Sequence, residues 1–129
     1  MAKIMIVDDN IDIADTLRII MEKEGNQTML ACNGEDFLSK VDDFRPDLVL
    51  LDVMMPGLTT EKIMEKLKEK GWASLKVILV TVVRFSDEEK KLLYTVLNIT
   101  DYITKPFDVF QLIAKVNKHL GKAPAPPSP

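Results

Sequence analysis

The chain has 129 residues, the length of one domain, and with 47% hydrophobic and 29% charged residues it is neither a disordered tail protein nor a fibrous repeat. Its 20 acidic and 17 basic residues leave a net charge of −3, which argues against a general binder of nucleic-acid backbones. One cysteine, Cys32, excludes an internal disulfide and fits a reducing compartment.

The first residues run apolar only from Ile4 to Val7 before Asp8 and Asp9 interrupt. That is too short for a signal peptide, and no later run approaches membrane-spanning length, so a cytoplasmic location without membrane contact is expected. Ile4–Val7 is nearly all aliphatic and predicts a strand covered on both faces. Ile13, Leu17, Ile20 and Met21 then recur at helical spacing up to a stop at Gly25. Thr28–Ala31 is a weaker, edge-type strand. Asn33 can cap a helix with Phe37, Leu38 and Val41 on its apolar face. Leu48–Leu51 is a second aliphatic strand, followed by a helix marked by Ile63, Met64 and Leu67 and closed near Gly71. Val77–Val80 is the third such strand. Ser86 to Glu89 form a capping-box pattern ahead of Leu92, Leu93, Val96 and Leu97. Asp101–Thr104 predicts another edge strand. Asp108, with Gln111 three residues on, opens a last helix with the stripe Val109, Leu112, Ile113, Val116 and Leu120. From Lys122 to Pro129 four prolines in eight residues predict an extended tail or the start of a linker, giving a domain over residues 1–121 and a tail over 122–129.

Strict strand–helix alternation implies an α/β fold with parallel strands, right-handed crossovers and helices on both faces. Placing the two polar strands at the edges gives a flavodoxin-like doubly wound five-stranded sheet, order 2-1-3-4-5, with five helices. Periodicity alone does not separate 1-3-4 from 3-1-4 inside that sheet.

The chemistry lies where the strands stop. Asp8 and Asp9 end the first, Asp52 the third, Thr81 the fourth and Lys105 the fifth. Open α/β sheets bind ligands beyond the carboxyl ends of their strands, at the switch point between strands one and three. Crowded carboxylates there raise one another's pKa unless a cation joins them. Lys105 supplies one positive charge, and the all-oxygen donor set points to a hard divalent ion, Mg²⁺ before others. An ammonium and a hydroxyl aimed at the same spot suit a phosphoryl group. Asp52, the lone acid on the central strand, is the best nucleophile.

The segments Val7-Asp8-Asp9-Asn10 and Leu50-Leu51-Asp52-Val53-Met54-Met55-Pro56-Gly57, with Thr81 and Lys105-Pro106-Phe107, resemble the receiver domain of two-component response regulators over residues 3–121. The resemblance implies a phosphorelay role in which Asp52 accepts phosphate from a sensor histidine kinase or phosphotransfer protein. It implies Mg²⁺ held by Asp9, Asp52 and the Met54 backbone carbonyl, with Asp8 acting directly or through water. It also implies phosphoryl contacts from Thr81 and Lys105, a cis Lys105–Pro106 bond, and a switch in which Thr81 moves and Tyr102 fills the vacated space. That would remodel the face of the fourth helix, fifth strand and fifth helix for a downstream protein or an output domain. Pairing of two copies through that face is compatible with this reading. Such a module turns over no outside substrate and is not an enzyme in that sense.

Two positions depart from the family's usual residues. Val82 follows Thr81 where a small residue is common, and is expected to narrow access to the phosphoryl site. Thr60 stands where glycine is common.

Two other function classes compete: a metal-dependent phosphohydrolase with an aspartate nucleophile, and an interaction domain with a vestigial pocket. The first normally needs a cap domain, for which the chain has no room; the second does not explain a complete acid–threonine–lysine set. Simpler readings also exist for single residues: Asp8-Asp9 as a pre-cap of the first helix, Tyr102 as an edge-strand aromatic, His119 as a helix-end cation without ligand partners, Trp72 as loop packing, and most methionines as core filling.

Overall fold

In the computed structural model the described residues are 2–122. The tail expected from Lys122 onward falls outside them after that first residue. The elements follow in strict alternation: β1 Lys3–Val7, α1 Ile11–Lys23, β2 Gln27–Ala31, α2 Gly34–Phe44, β3 Leu48–Leu51, α3 Thr60–Glu69, β4 Lys76–Thr81, α4 Asp87–Thr95, β5 Asp101–Thr104 and α5 Val109–His119. All strand pairs are parallel, and the order is β2-β1-β3-β4-β5. The expected fold is therefore the observed one, and the 3-1-4 arrangement is excluded.

Successive strand residues point to opposite faces, so each aliphatic strand feeds two cores. Met5, Val7, Val49, Leu51, Val77 and Leu79 face α2, α3 and α4, where Phe37, Val41, Ile63 and Leu67 meet them. Ile4, Ile6, Leu48, Leu50, Ile78 and Val80 face α1 and α5, against Leu17, Met21, Leu112 and Val116. This double burial is why those runs carry no polar residue. The edge strands β2 and β5 are only partly covered, as their composition predicts.

Helix ends are set locally. Asn10 caps α1 by accepting from Asp12 N and Ile13 N, Asn33 caps α2, and Ser86 and Glu89 close a reciprocal capping box on α4. Asp108 caps α5 by accepting from Phe110 N and Gln111 N. Gly34 sits where α2 crosses α3: a Cβ there would lie 2.7 Å from Ile63 Cδ1, so any larger residue must displace that buried side chain.

Two expected apolar faces are narrower than the sequence suggests. On α4 only Leu93 is buried, while Leu92 and Val96 are 56% and 70% exposed; on α5, Val109 is exposed as well. Leu92 and Val96 face the space between α3 and α4 instead of the sheet. Among the methionines, Met5 and Met21 are fully buried but Met54 is exposed.

Candidate functional site

The residues that matter stand one position past the strands, held by continued ladder hydrogen bonds. Asp8 N donates to Ala31 O (3.1 Å), Asp52 N to Val7 O (3.0 Å) and Lys105 N to Thr81 O (2.7 Å). The sheet itself thus fixes where these side chains begin. Order 2-1-3-4-5 brings the ends of β1 and β3 side by side, and with them the acids.

Carboxylate oxygens of Asp8, Asp9 and Asp52 lie within 4.8 Å of one another. Asp8 and Asp52 are buried and Asp9 is exposed at the rim. Lys105 reaches over from β5, its Nζ 3.1 Å from Asp8 Oδ2 and 3.7 Å from Asp52 Oδ2. The remaining oxygens are oriented by backbone: Asn10 N donates to Asp8 Oδ1 (2.9 Å) and Met54 N to Asp52 Oδ1 (3.1 Å). Burial pushes the Asp52 carboxyl above its ordinary value; the Met54 N–H and Lys105 oppose this, while the Asp8 and Asp9 charges add to it. Burial thus outweighs, as a cause, the like-charge crowding that the sequence predicts.

Three carboxylates face one ammonium, so the cluster is short of positive charge. An all-oxygen set with two buried acids and an open rim fits a hard divalent cation that keeps some of its water.

Thr81 closes β4 and is fully buried; its hydroxyl accepts from Val83 N (3.1 Å) rather than contacting a carboxylate. Tyr102 lies apart from the acids, half-buried on β5. It packs edge-on to Phe85 with ring centroids 5.5 Å apart, and Lys90 and Lys115 stand 5.5 and 5.4 Å from its centroid. The Lys105–Pro106 bond is cis. Ile11, Met54 and Val82, each within two residues of Asp9, Asp52 or Thr81 in the sequence, are exposed.

The structure brings Asp8, Asp9, Asp52 and Lys105 into one cluster with Met54 beside it. Asn10 itself caps α1, and Asp8 Oδ1 accepts from the Asn10 N–H just ahead of the helix, so the pre-capping contact and the place in the cluster coexist at Asp8. Asn10 was the residue missed: it caps the helix and orients Asp8. Its signal was an N-cap residue directly before the first helical apolar position. His119 also has more than a helix-end role, since its Nε2 lies 2.9 Å from Asp101 Oδ2, and Lys115 contacts the other oxygen at 3.2 Å. Burial alone would raise the Asp101 carboxyl, but His119, the Tyr102 N–H and Lys115 hold it below its ordinary value. Trp72 packs in its loop as expected, donating from Nε1 to Asp42 Oδ1 (2.8 Å) under the Arg45 guanidinium.

The sequence pattern of the response regulator receiver domain matches residues 4–117. Among solved structures, the chain is similar to the chemotaxis protein CheY4 of Vibrio cholerae, with 25% identity and a TM-score of 0.82 over 92% of this chain and 98% of that one. It is also similar to a CheY-like response regulator receiver domain protein of Methanospirillum hungatei, with 28% identity and a TM-score of 0.83 over 94% of each chain. A third similarity is to NtrX of Brucella abortus, at 28% identity and a TM-score of 0.79; it covers 93% of this chain but 27% of that one. No helix among the described residues is long and apolar enough to cross a membrane.

Proposed function

The chain belongs to the response regulator receiver domain family of two-component signalling, and from that premise we propose that it is a phosphorylation-controlled switch with Asp52 as phosphoacceptor. The domain assigned to this role is residues 1–121. The observation that carries the reading is the buried Asp52 carboxylate, fixed by Met54 N and flanked by Lys105 and two further acids at the switch point.

The Met54 N–H holds Asp52 Oδ1 and leaves Oδ2, on the Lys105 side, as the attacking oxygen. An Oδ2–phosphorus bond forms as the phosphorus–nitrogen bond of a phosphohistidine breaks, and the imidazole leaves with its electron pair and takes up a proton. Lys105 stands where charge builds on the phosphoryl oxygens and stabilises it. Asp8, Asp9, Asp52 and the Met54 carbonyl would hold Mg²⁺. When bound, that ion neutralises the acids and the incoming phosphoryl charge. The exposed Ile11, Met54 and Val82 form the border that a phosphodonor protein would cover.

Phosphorylation adds about −1.5 to −2 charge at Asp52. The new oxygens accept from the Thr81 hydroxyl, whose proton is not used by its contact with Val83 N, and draw it toward Asp52; Tyr102 moves into the space this opens. The change then reaches the α4–β5–α5 face as a shift between pre-existing states.

The test is intact mass after incubation with Mg²⁺ and a small phosphodonor such as phosphoramidate, with Asp52→Asn as control. A base-labile gain of one phosphoryl group on the wild type alone supports the reading. Continuous phosphate release from varied phosphomonoesters would instead make the protein a phosphohydrolase, and no adduct would make the pocket vestigial.

A further inference from the structure

We propose that the groove between α3 and α4 is a docking site for a basic amphipathic helix of a partner protein. This goes beyond the phosphoacceptor reading and does not require it.

The groove consists of two cavities of 420 and 520 Å³ that share Glu61 and Leu97. The upper one is lined by Val53 and Met55 of the loop after Asp52, by Phe85 and by Leu92; the lower one ends at Trp72 and is lined by Met64 and Val96. Leu92 and Val96, four residues apart on α4, stand as an apolar ridge along it, 56% and 70% exposed. The α4 sequence thus carries a wider apolar stripe than its own fold covers, and the uncovered part borders a groove that is itself apolar. A helix presenting apolar residues at i, i+3 or i+4, and i+7 matches a track of this shape.

The sign of the partner follows from the rim. Glu61, Glu65 and Glu89 line the groove against one cation, Lys68. Hydrogen bonds with Ser86 hold the Glu89 carboxyl below its ordinary value, and Glu65 has only a loose, exposed contact with Lys62 at 3.4 Å. Lys or Arg flanking the apolar track would meet these carboxylates, whereas a second copy docked by this same face would set acidic rim against acidic rim.

Trp72, the chain's single tryptophan, reports on the lower cavity. The experiment uses two synthetic helical peptides that share Leu at i, i+3 and i+7 and carry either Lys or Glu at all flanking positions. The Lys peptide is expected to change Trp72 emission, shift α3 and α4 amide resonances and weaken with added salt, while the Glu peptide leaves all three unaltered. Val96→Ser should keep the wild-type melting temperature and weaken the Lys peptide by about tenfold, the loss expected for one uncovered aliphatic contact. Glu61→Gln with Glu65→Gln should weaken it and flatten its salt dependence. No binding, equal binding of both peptides, or resonance shifts confined to β5 and α5 would overturn the proposal. So would self-association in sedimentation that Val96→Ser abolishes, since the groove would then belong to a second copy.

Discussion

Replacing Asp52 by asparagine should stabilise the metal-free protein. The side chains are isosteric, and the Asn carbonyl oxygen can still accept from Met54 N, so packing is unchanged while one buried charge disappears. At an effective dielectric of about 20, repulsion from each of two acids no more than 4.8 Å away is at least ~3.5 kcal/mol, against ~4.5 kcal/mol of attraction to Lys105 at 3.7 Å. Screening of the exposed Asp9 reduces the repulsion, and relief of Asp52's burial adds to the gain. The net is a stabilisation of about 1–2 kcal/mol, or roughly 4–8 °C for a domain of this length. Lys105 keeps its 3.1 Å contact with Asp8 in the variant.

The pH dependence gives a second handle. The folded protein holds the Asp52 proton more tightly than the unfolded chain, whose carboxyl titrates near 3.8. That advantage is complete below the unfolded value and is lost as pH rises through the raised folded value. Wild type and Asp52→Asn should therefore melt together at low pH and separate as pH climbs toward neutrality. Thermal unfolding by circular dichroism in chelator, repeated across pH, measures this. Added Mg²⁺ should raise the wild type more than the variant. An Asp52→Asn protein that melts lower than wild type at neutral pH without metal would refute the account of the acids as a mutually opposed cluster.

Asn10→Ala should cost about 1 kcal/mol through loss of the α1 cap, read as a lower denaturation midpoint at unchanged slope. Gly34→Ala should destabilise by about 1–3 kcal/mol because its Cβ meets the buried Ile63 side chain, and in an Ile63→Ala background the added cost of that methyl should shrink in a double-mutant cycle. Val82→Ala should speed both phosphorylation and dephosphorylation by opening the pocket border; unchanged rates in a phosphate-release assay would remove Val82 from any gating role.

The fold was readable in the sequence where burial is two-sided. Ile4–Val7, Leu48–Leu51 and Val77–Val80 lie under helices on both faces, so every residue had to be apolar, and the strand ends then placed the acids and Lys105. The readings went astray where cover is partial. Leu92, Val96 and Val109 have helical spacing like any core stripe, but spacing carries no information on which flank of a helix its neighbours cover. The pairing of His119 with Asp101 joins residues 18 apart through the packing of α5 on β5, which no local pattern encodes. The ordering of causes at Asp52 was equally hidden, since charge can be counted from sequence and depth cannot.

The amides of Asp8, Asp52 and Lys105 donate into the sheet rather than to water. Their hydrogens exchange with solvent only when the ends of these strand pairs open, which should slow them relative to the amides of free loops. Chemical competence should accordingly persist on heating up to the cooperative transition and vanish with it, instead of fading beforehand as it would in a pocket assembled from loops.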